Sequence, residues 1–235
     1  MKTSLTPLLG LEFGGITAVT GCGGKTTIIN LLAHENRQKR VLISPTTKIW
    51  PIREPDVFLC ESEYACLSHI PQAGIQCFGE LNPKTGKLHA FSPETLNQLT
   101  KKYDLSLLEA DGSNCRPLKG YLTHEPVIPA YCTHTLGVLP ATAVGSFATE
   151  EYVHRLPEFL KQTGLNEGAI VPAEAIIPLI DFMFMGALGK RTVIINQADV
   201  CEANAEALAE NIARNFDIKI IIGSATQRKW KEYAA

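Results

Sequence analysis

Three glycines, a lysine and two threonines lie close together near the amino terminus, and their types and spacing suit phosphate binding. The stretch Gly21-Cys-Gly-Gly-Lys-Thr-Thr27 follows the apolar residues 15–20. Glycines permit backbone conformations that point successive N–H groups at one anion. Lysine can neutralise the β- and γ-phosphates, and the following hydroxyl can bind Mg²⁺. The predicted nucleotide-binding residues of this stretch are Gly21, Cys22, Gly23, Gly24, Lys25, Thr26 and Thr27.

The spacing departs from the usual phosphate-loop pattern. G-x-x-x-x-G-K-S/T would place its first glycine at the position of Val19. The stretch is therefore a shortened loop that begins at Gly21 or a variant of the motif. A glycine-rich turn with a chance lysine is the alternative, but the order of strand, glycines, Lys-Thr and helix favours the phosphate loop.

Two carboxylates end a second hydrophobic strand, in residues 104–112. Glu109 and Asp111 are two residues apart and share one face of the strand, where a carboxylate can orient Mg²⁺ beside a phosphate loop. Asp111 directly precedes a glycine, so we expect it to lie nearer the crevice than Glu109. The alternative is that both carboxylates cap a turn exposed to solvent. Thr46 and Thr47 follow another strand and can contact Mg²⁺ or a γ-phosphate. The predicted metal ligands are Thr26, Asp111 and Thr47.

The loop after this strand contains further ionisable side chains. Arg116 or Lys119 can neutralise charge on a transferring phosphoryl group, and His124 or Glu125 can position water or a substrate. The sequence does not decide among them, and a solvated loop is the alternative for each. The predicted catalytic residues are Lys25, Asp111, Glu109 and Arg116.

The segment 190–199 is a buried strand that ends in Asn-Gln-Ala-Asp and resembles the N-K-x-D guanine motif. In that motif Asp199 would accept hydrogen bonds from guanine and Asn196 would fix the loop. Gln197 replaces the usual lysine, which weakens the prediction of GTP and leaves ATP open. Ser224 and Ala225 end a further strand, in the place of a backbone donor loop for the guanine carbonyl.

The chemistry-bearing residues require an α/β scaffold. A strand, the helix at 28–33 and a strand at 41–44 form a β-α-β unit. We predict one three-layer phosphate-loop NTPase-like domain over 1–235, with a mostly parallel central sheet and an inserted hairpin region near 75–92. Ser92 and Pro93 predict a helix start, and Thr149 predicts another, with His154 and Arg155 facing the nucleotide as one possibility.

Composition limits the classes of function. The 235 residues are 45% hydrophobic with a formal charge of −2, which supplies no general field for nucleic acid or an anionic membrane. Seven cysteines without a C-x-x-C pair argue against a disulfide framework. No segment has the apolar length of a membrane helix and the N-terminus lacks a signal-peptide pattern, so we expect a cytoplasmic protein.

Several motifs together resemble one family. The phosphate-loop stretch, residues 44–47, 107–113 and 116–119, and the run 124–129 are similar to the YqeC family of selenium-dependent hydroxylase accessory proteins. The resemblance continues through 151–155 and 196–199. It implies a phosphate-loop nucleotide-binding protein linked by gene context to maturation of selenium-dependent molybdenum hydroxylases, without implying a reaction.

The favoured hypothesis is therefore a Mg²⁺-dependent protein that binds and hydrolyses or uses GTP or ATP. Its other expected partner is a selenium-dependent molybdenum hydroxylase or its cofactor machinery. One alternative is an ATP-dependent kinase or ligase-like enzyme, because Gly-Gly-Lys-Thr-Thr also resembles the ATP loop of amide-forming ligases. A regulatory module that binds nucleotide without turnover is another, and a homodimer is open.

Overall fold

A mostly parallel sheet forms the middle of the protein. The computed structural model describes residues 3–52, 54 and 56–234. Its strands are β1 (Gly15–Gly21), β2 (Arg40–Pro45), β3 (Lys48–Ile49), β4 (Val57–Cys60), β5 (Gly74–Phe78), β6 (Glu80–Leu81), β7 (Leu88–His89), β8 (Leu105–Glu109), β9 (Leu118–Lys119), β10 (His134–Pro140), β11 (Val153–His154), β12 (Lys190–Asn196), β13 (Lys219–Ser224) and β14 (Lys229–Glu232).

Helices connect most of these strands. They are α1 (Leu5–Leu9), α2 (Lys25–Glu35), α3 (Glu63–Ser68), α4 (Pro93–Thr100), α5 (Leu156–Thr163), α6 (Ala173–Met183) and α7 (Glu202–Asn215), with a 3-10 turn at Ala141–Ala143. Ser92 caps α4 by accepting a hydrogen bond from the Thr95 N–H, and Pro93 is at the first helical position, as the sequence predicts.

The central sheet places β1 in its middle. Nine strands in the described residues pair in the order β14-β13-β12-β10-β1-β8-β2-β5-β4. Every neighbouring pair is parallel except β13 with β14. Parallel strands end at the same edge, so the residues after β1, β8, β2 and β12 meet there. The three-layer, mostly parallel α/β fold is thereby confirmed.

Helices cover both faces of the sheet. On one face, α1 and α2 pack on alternate strand residues such as Val19, Leu107 and Ile194. On the other face, α5, α6 and α7 pack on β10, β12 and β13, while α3 and α4 cover the β2 and β5 side. This two-sided burial explains the near-continuous apolar character of the strands.

Two small sheets lie outside the central one. The first is β3-β7-β6, in which Lys48 pairs with His89 and Ile49 with Leu88 in antiparallel register. The second pairs β9 with β11 in parallel. In the first sheet, β6 and β7 come from the predicted hairpin region, whereas β5 belongs to the central sheet. Both small sheets border the carboxyl edge of the central sheet. The assignment of the chain to one domain stays a prediction.

The structure differs from the sequence-based predictions in the positions of two helices and in one additional strand. The sequence of the lead-in segment 1–14 favours a short helix around Leu8 to Phe13, whereas the first helix is Leu5–Leu9. The helix expected from Thr149 begins only at Leu156, because β11 pairs with β9 and Arg155 adopts a left-handed φ of 58°. The antiparallel edge strand β14 was not predicted. None of the helices in the described part of the chain is long and apolar enough to cross a membrane.

Candidate functional site

A basic cleft lies at the carboxyl edge of the sheet. Its cavity volume is about 510 Å³, and its lining includes the glycine loop, the first turn of α2, Glu109 and the loop of residues 112–117. The small β3-β7-β6 sheet contributes residues 48–50 and Lys87. The cleft lies at the carboxyl edge of the sheet, where open α/β sheets bind ligands and where the sequence analysis expects the site.

The glycine loop is held tightly against the ends of the neighbouring strands. Gly24 has a φ of 122°, and a Cβ there would lie 2.5 Å from Asn196 Nδ2. Gly23 has a φ of 74°, and its Cβ would lie 2.4 Å from Pro140. Both positions require glycine for conformation and for space. The loop is therefore a fixed support for whatever binds in the cleft.

Helix α2 begins directly at the loop and exposes its first turn to the cleft. The N-cap Gly24 makes no side-chain cap hydrogen bond, and the first turn contains no acidic residue. The N–H groups of Lys25, Thr26 and Thr27 have no intrahelical acceptor, as in any first turn. These donors and the helix dipole favour an anion in this part of the cleft.

Two of the predicted amide donors do not face the cleft. Gly21 N–H donates to Asp111 Oδ2 at 3.0 Å, and Cys22 N–H donates to Val138 O at 2.9 Å. Gly21 is still the last ladder residue of β1, so its amide belongs to the sheet edge. The donor set expected from Gly21 to Gly24 is thus corrected to one that starts at Gly23. Burial also raises the pKa of the Cys22 thiol to about 12, which makes it a poor nucleophile.

Lys25 is buried at the back of the cleft, with 4% of its side chain exposed. Its ammonium donates to Gly21 O at 2.7 Å and lies 3.3 Å from Asp111 Oδ1 and 3.8 Å from Glu109 Oε1. Burial disfavours its charge, but the two carboxylates outweigh this and raise the pKa of the ammonium. Lys25 is therefore a charged donor at the back of the cleft.

The two carboxylates occupy positions opposite to the expected order. Glu109 lines the cleft, whereas Asp111 is fully buried behind the loop. Asp111 accepts hydrogen bonds from Gly21 N–H and from Lys119 Nζ, the latter at 3.1 Å. Its carboxylate therefore stabilises the glycine loop from behind. Asp111 comes after the end of β8 and turns inward. Burial raises the pKa of Glu109, and the charge of Lys25 opposes that rise.

Glu109 and Thr26 form a pair of hard oxygen groups at the cleft wall. Thr26 Oγ1 donates to Glu109 Oε2 at 3.2 Å, and Thr26 is exposed to the cleft. Hydroxyl and carboxylate oxygens are the ligand types that Mg²⁺ prefers, so this pair fits a magnesium site. Thr47 does not line the cleft, and its buried Oγ1 has no hydrogen-bond partner within the described residues. The cleft therefore favours Glu109 over Thr47 as a protein ligand.

A buried ion network lies behind the glycine loop and was not predicted. Lys119 has 0% of its side chain exposed and donates to Asp111, Gly112 O and Glu125 Oε2, the last at 3.0 Å. Both guanidinium amino groups of Arg155 donate to Glu125. Burial opposes the charge of Glu125, but Arg155 and Lys119 lower its pKa to about 2. Lys119 therefore cannot reach a phosphoryl group, which corrects one expectation.

Four other residues that the sequence analysis singled out lie in different places. Arg116 lines the cleft, and its Nη1 donates to Val153 O at 3.4 Å. His124 is exposed outside the cleft lining, and His154 is half-buried with its pKa lowered by burial and then by Arg155. Arg155 pairs with Glu125 instead of facing the cleft. Among these four residues, Arg116 alone lines the cleft.

Asn196 connects the glycine loop with the ends of two strands. Its Nδ2 donates to Gly23 O at 2.9 Å, and its Oδ1 accepts from Ala225 N–H at 3.0 Å. These bonds match the loop-fixing role expected for Asn196. They also engage the Ala225 amide, so this group is not free for a guanine carbonyl. The expected backbone donor of the 224–225 turn is corrected on this point.

Asp199 and Ser224 border a second cavity of about 430 Å³, beside the β12 and β13 ends. Asp199 is exposed there, while Ser224 is buried and its hydroxyl accepts from Gln227 N–H at 3.1 Å. Gln197 lies between the two cavities: it lines the basic cleft and accepts from Thr142 Oγ1 at 2.7 Å. The structure brings the predicted base-recognition residues close together but outside the basic cleft.

The sequence argument missed Lys48, Trp50 and Lys87, which line the cleft opposite the 112–117 loop. Lys87 Nζ lies 5.0 Å from the centre of the Trp50 ring. The signal was weak, because these residues come together only through the pairing of β3 with β7. A turn prediction indicates a hairpin but not the third strand that joins it.

The fold and the site define a phosphate-loop-like α/β protein. The YqeC protein family model matches residues 17–157, and the chain belongs to this family. It is 30% identical over 210 residues to the Escherichia coli K12 protein described as "Uncharacterized protein YqeC". The matched region covers 83% of this chain and 80% of that protein.

A second relative is more distant. Over 140 residues the chain is 29% identical to the UDP-N-acetylmuramoylalanine–D-glutamate ligase of Rubrobacter xylanophilus. This match covers 51% of the chain but only 32% of the ligase. No solved structure matches the chain.

Proposed function

We propose that the protein binds a nucleoside triphosphate with Mg²⁺ in the basic cleft. The observation that carries this proposal is the charged, buried Lys25 beside a glycine loop and an uncapped helix start. In the bound state Lys25 would exchange the Gly21 carbonyl for phosphate oxygens. The N–H groups from Gly23 onward would donate to the same phosphates.

The metal would lie between the phosphates and the wall formed by Thr26 and Glu109. A bound Mg²⁺ would supply neutralisation of charge on the β- and γ-oxygens. Glu109 would hold the ion or its water, and Arg116 would neutralise charge on the outer phosphate. Asp111 would act indirectly, by holding the Gly21 amide and the Lys25 ammonium.

The base would lie on the β12 and β13 side, where Asn196 already fixes the loop and Asp199 borders the second cavity. Asp199 can accept hydrogen bonds from guanine. The engaged Ala225 amide removes one expected guanine contact, so GTP and ATP remain close alternatives.

The physiological role proposed here is accessory: nucleotide use during maturation of selenium-dependent molybdenum hydroxylases, as the family resemblance implies. Its partner would be such an enzyme or its cofactor machinery. Affinity purification from cells that make such a hydroxylase tests this, since co-purification of the enzyme or molybdenum cofactor is expected. Recovery of neither from those cells contradicts the role without touching nucleotide binding.

An ATP-dependent ligase-like or kinase enzyme is the second candidate. The distant similarity to a ligase favours it, and that match includes about half of this chain. Phosphate or ADP release that depends on a second substrate would support it. Release that is independent of any added substrate supports simple hydrolysis, and tight binding without release supports a regulatory module.

Nucleotide binding is tested by Lys25→Ala with Lys190→Ala as the matched control. Lys190 makes an exposed ion pair with Glu12 at the amino end of β12, at the edge of the sheet opposite the cleft. We expect Lys25→Ala to lower the affinity for a fluorescent nucleoside triphosphate by about 100-fold or more, because a charged hydrogen-bond donor is removed from a buried site. Equal affinities of the two folded variants contradict the proposal.

A further inference from the structure

The far end of the basic cleft has a chemistry of its own. Lys48 and Trp50 follow β2, and Lys87 precedes β7, so the antiparallel register that pairs Ile49 with Leu88 brings Trp50 opposite Lys87. Lys87 Nζ lies over the indole ring, and 59% of Trp50 stays exposed. Lys48 is also exposed at the cleft wall. This wall of the cleft therefore combines an exposed indole ring with two ammonium groups.

The charge at this end favours an anion. The described residues that line the cleft include Lys48, Lys87 and Arg116 in addition to Lys25, whereas Glu109 is their one carboxylate. Glu109 lies 3.8 Å from Lys25, so its charge is largely balanced within the phosphate site. Lys48, Lys87 and Arg116 are therefore the cations of the described lining that no lining carboxylate balances.

A single nucleotide does not fill both ends. Four strand spacings separate β12 from β2 in the order β12-β10-β1-β8-β2, which amounts to roughly 19 Å. The glycine loop after β1 lies in the middle. A triphosphate held on that loop directs its base to one side only, and the proposed function directs it toward Asp199.

We propose that Lys48, Trp50 and Lys87, with Arg116 at the junction, bind a second ligand: a planar aromatic ring that carries a carboxylate or phosphate group. This inference rests on the proposed function for the direction of the nucleotide. The ring stacks on Trp50, since base-sized rings stack well on exposed indoles. The anionic group lies between the lysines. The γ-phosphate end of the nucleotide then faces this ligand.

The test uses the indole N–H signals of the full-length protein in a ¹⁵N-correlated NMR spectrum. The chain has two tryptophans, and the buried Trp230 is an internal control for Trp50. The probe is quinoline-2-carboxylate, with cyclohexanecarboxylate as the non-planar anion and quinoline as the uncharged ring. We expect the first probe to shift the Trp50 signal saturably and bind at least about fivefold tighter than either control.

Variants separate the possible outcomes. Because the variants lack the Trp50 signal, their affinities and that of the parent are measured by calorimetry. Trp50→Ala should weaken the binding of quinoline-2-carboxylate by at least about fivefold, and Trp50→Phe should retain most of the affinity. No saturable shift of Trp50, or equal binding of the three probes, overturns the inference. A loss of triphosphate affinity in Trp50→Ala that matches its loss of probe affinity also overturns it, because Trp50 would then hold the nucleotide base.

The failure of the proposed function gives a different pattern. If the parent protein binds quinoline-2-carboxylate at Trp50 but no triphosphate, the aromatic-anion site stands and the nucleotide site does not. If the parent protein binds triphosphate through Lys25 but none of the probes shifts the Trp50 signal, the nucleotide site stands and this inference is wrong.

Discussion

At the residue scale, burial gives different roles to Glu109, at the end of β8, and Asp111, two residues beyond it. Glu109 remains at the cleft wall beside Thr26, whereas Asp111 is enclosed by Gly21, Lys25 and Lys119. Both carboxylates lie within 4 Å of the Lys25 ammonium, at 3.8 Å for Glu109 and 3.3 Å for Asp111. The sequence could not give their depth, because that depends on Lys119, which turns inward eight residues later.

We predict that Glu109→Gln and Asp111→Asn have different effects. Glu109→Gln should weaken Mg²⁺-dependent triphosphate binding about tenfold or more with little change in stability, because Glu109 is the carboxylate at the cleft wall. Asp111→Asn should lower the free energy of unfolding by about 3 kcal/mol, since it leaves buried cations with one carboxylate fewer. Magnesium titrations and urea unfolding measure the two effects, and the reverse pattern contradicts the assignment.

Base recognition also belongs to the residue scale. Asp199 is exposed and the Ala225 amide is engaged by Asn196, so we predict a GTP preference over ATP of less than about tenfold. Asp199→Ala should bring GTP affinity down to that for ATP. Competition against one fluorescent nucleotide measures both. A large GTP preference that survives Asp199→Ala would assign base recognition to other groups.

At the scale of the elements, the site depends on side chains that join the ends of strands. Asn196 connects the loop after β1 with the turns after β12 and β13. The main strands of the central sheet, and the order of the site motifs that follow them, were predictable because buried parallel strands are continuous apolar runs. The β9 to β11 pairing and the addition of β3 to the β6-β7 hairpin were not, since two-residue strands leave no periodicity and arise from tertiary contacts.

We predict that Asn196→Ala loosens the glycine loop. It removes two hydrogen bonds and leaves the Ala225 amide without its acceptor, so the free energy of unfolding should fall by about 1–3 kcal/mol. Triphosphate affinity should fall with it, because the loop loses its fixed support. Asn215→Ala is the control, as that exposed side chain donates only to Asn211 O within its own helix. Equal stability and equal triphosphate affinity in both variants would show that the glycine loop does not depend on the hydrogen bonds of Asn196.

At the scale of the whole molecule, the buried network joins the β8 strand, the loop that follows it and the start of α5. Glu125 receives Lys119 and Arg155, and Lys119 also holds Asp111. The charged residues were visible in the sequence, but composition and motif spacing suggest solvated loop residues or a substrate site. Only the folding of α5 against β9 buries them together.

This network makes an acid-dependence prediction. The pKa of Glu125 falls from the ordinary 4.5 to about 2 in the folded protein, so its stabilising effect is present above about pH 4.5. That effect should be lost as the pH falls from about 4.5 towards 2. Glu125→Gln should be less stable at pH 7 and show a shallower acid dependence than the parent, in unfolding measured by circular dichroism.

Glu167→Gln is the control for this measurement, because Glu167 is an exposed residue between α5 and α6. Its acid profile should follow that of the parent. A Glu125→Gln profile that is parallel to the parent from pH 7 to pH 3 would remove Glu125 from the acid response.

The most direct test of the whole account is a calorimetric titration of the parent protein with a non-hydrolysable GTP or ATP analogue, with and without Mg²⁺. The account predicts one saturable site that tightens with Mg²⁺ and is lost in Lys25→Ala but kept in Lys190→Ala. The absence of saturable binding for both analogues in the presence of Mg²⁺, in a folded parent protein, would contradict it.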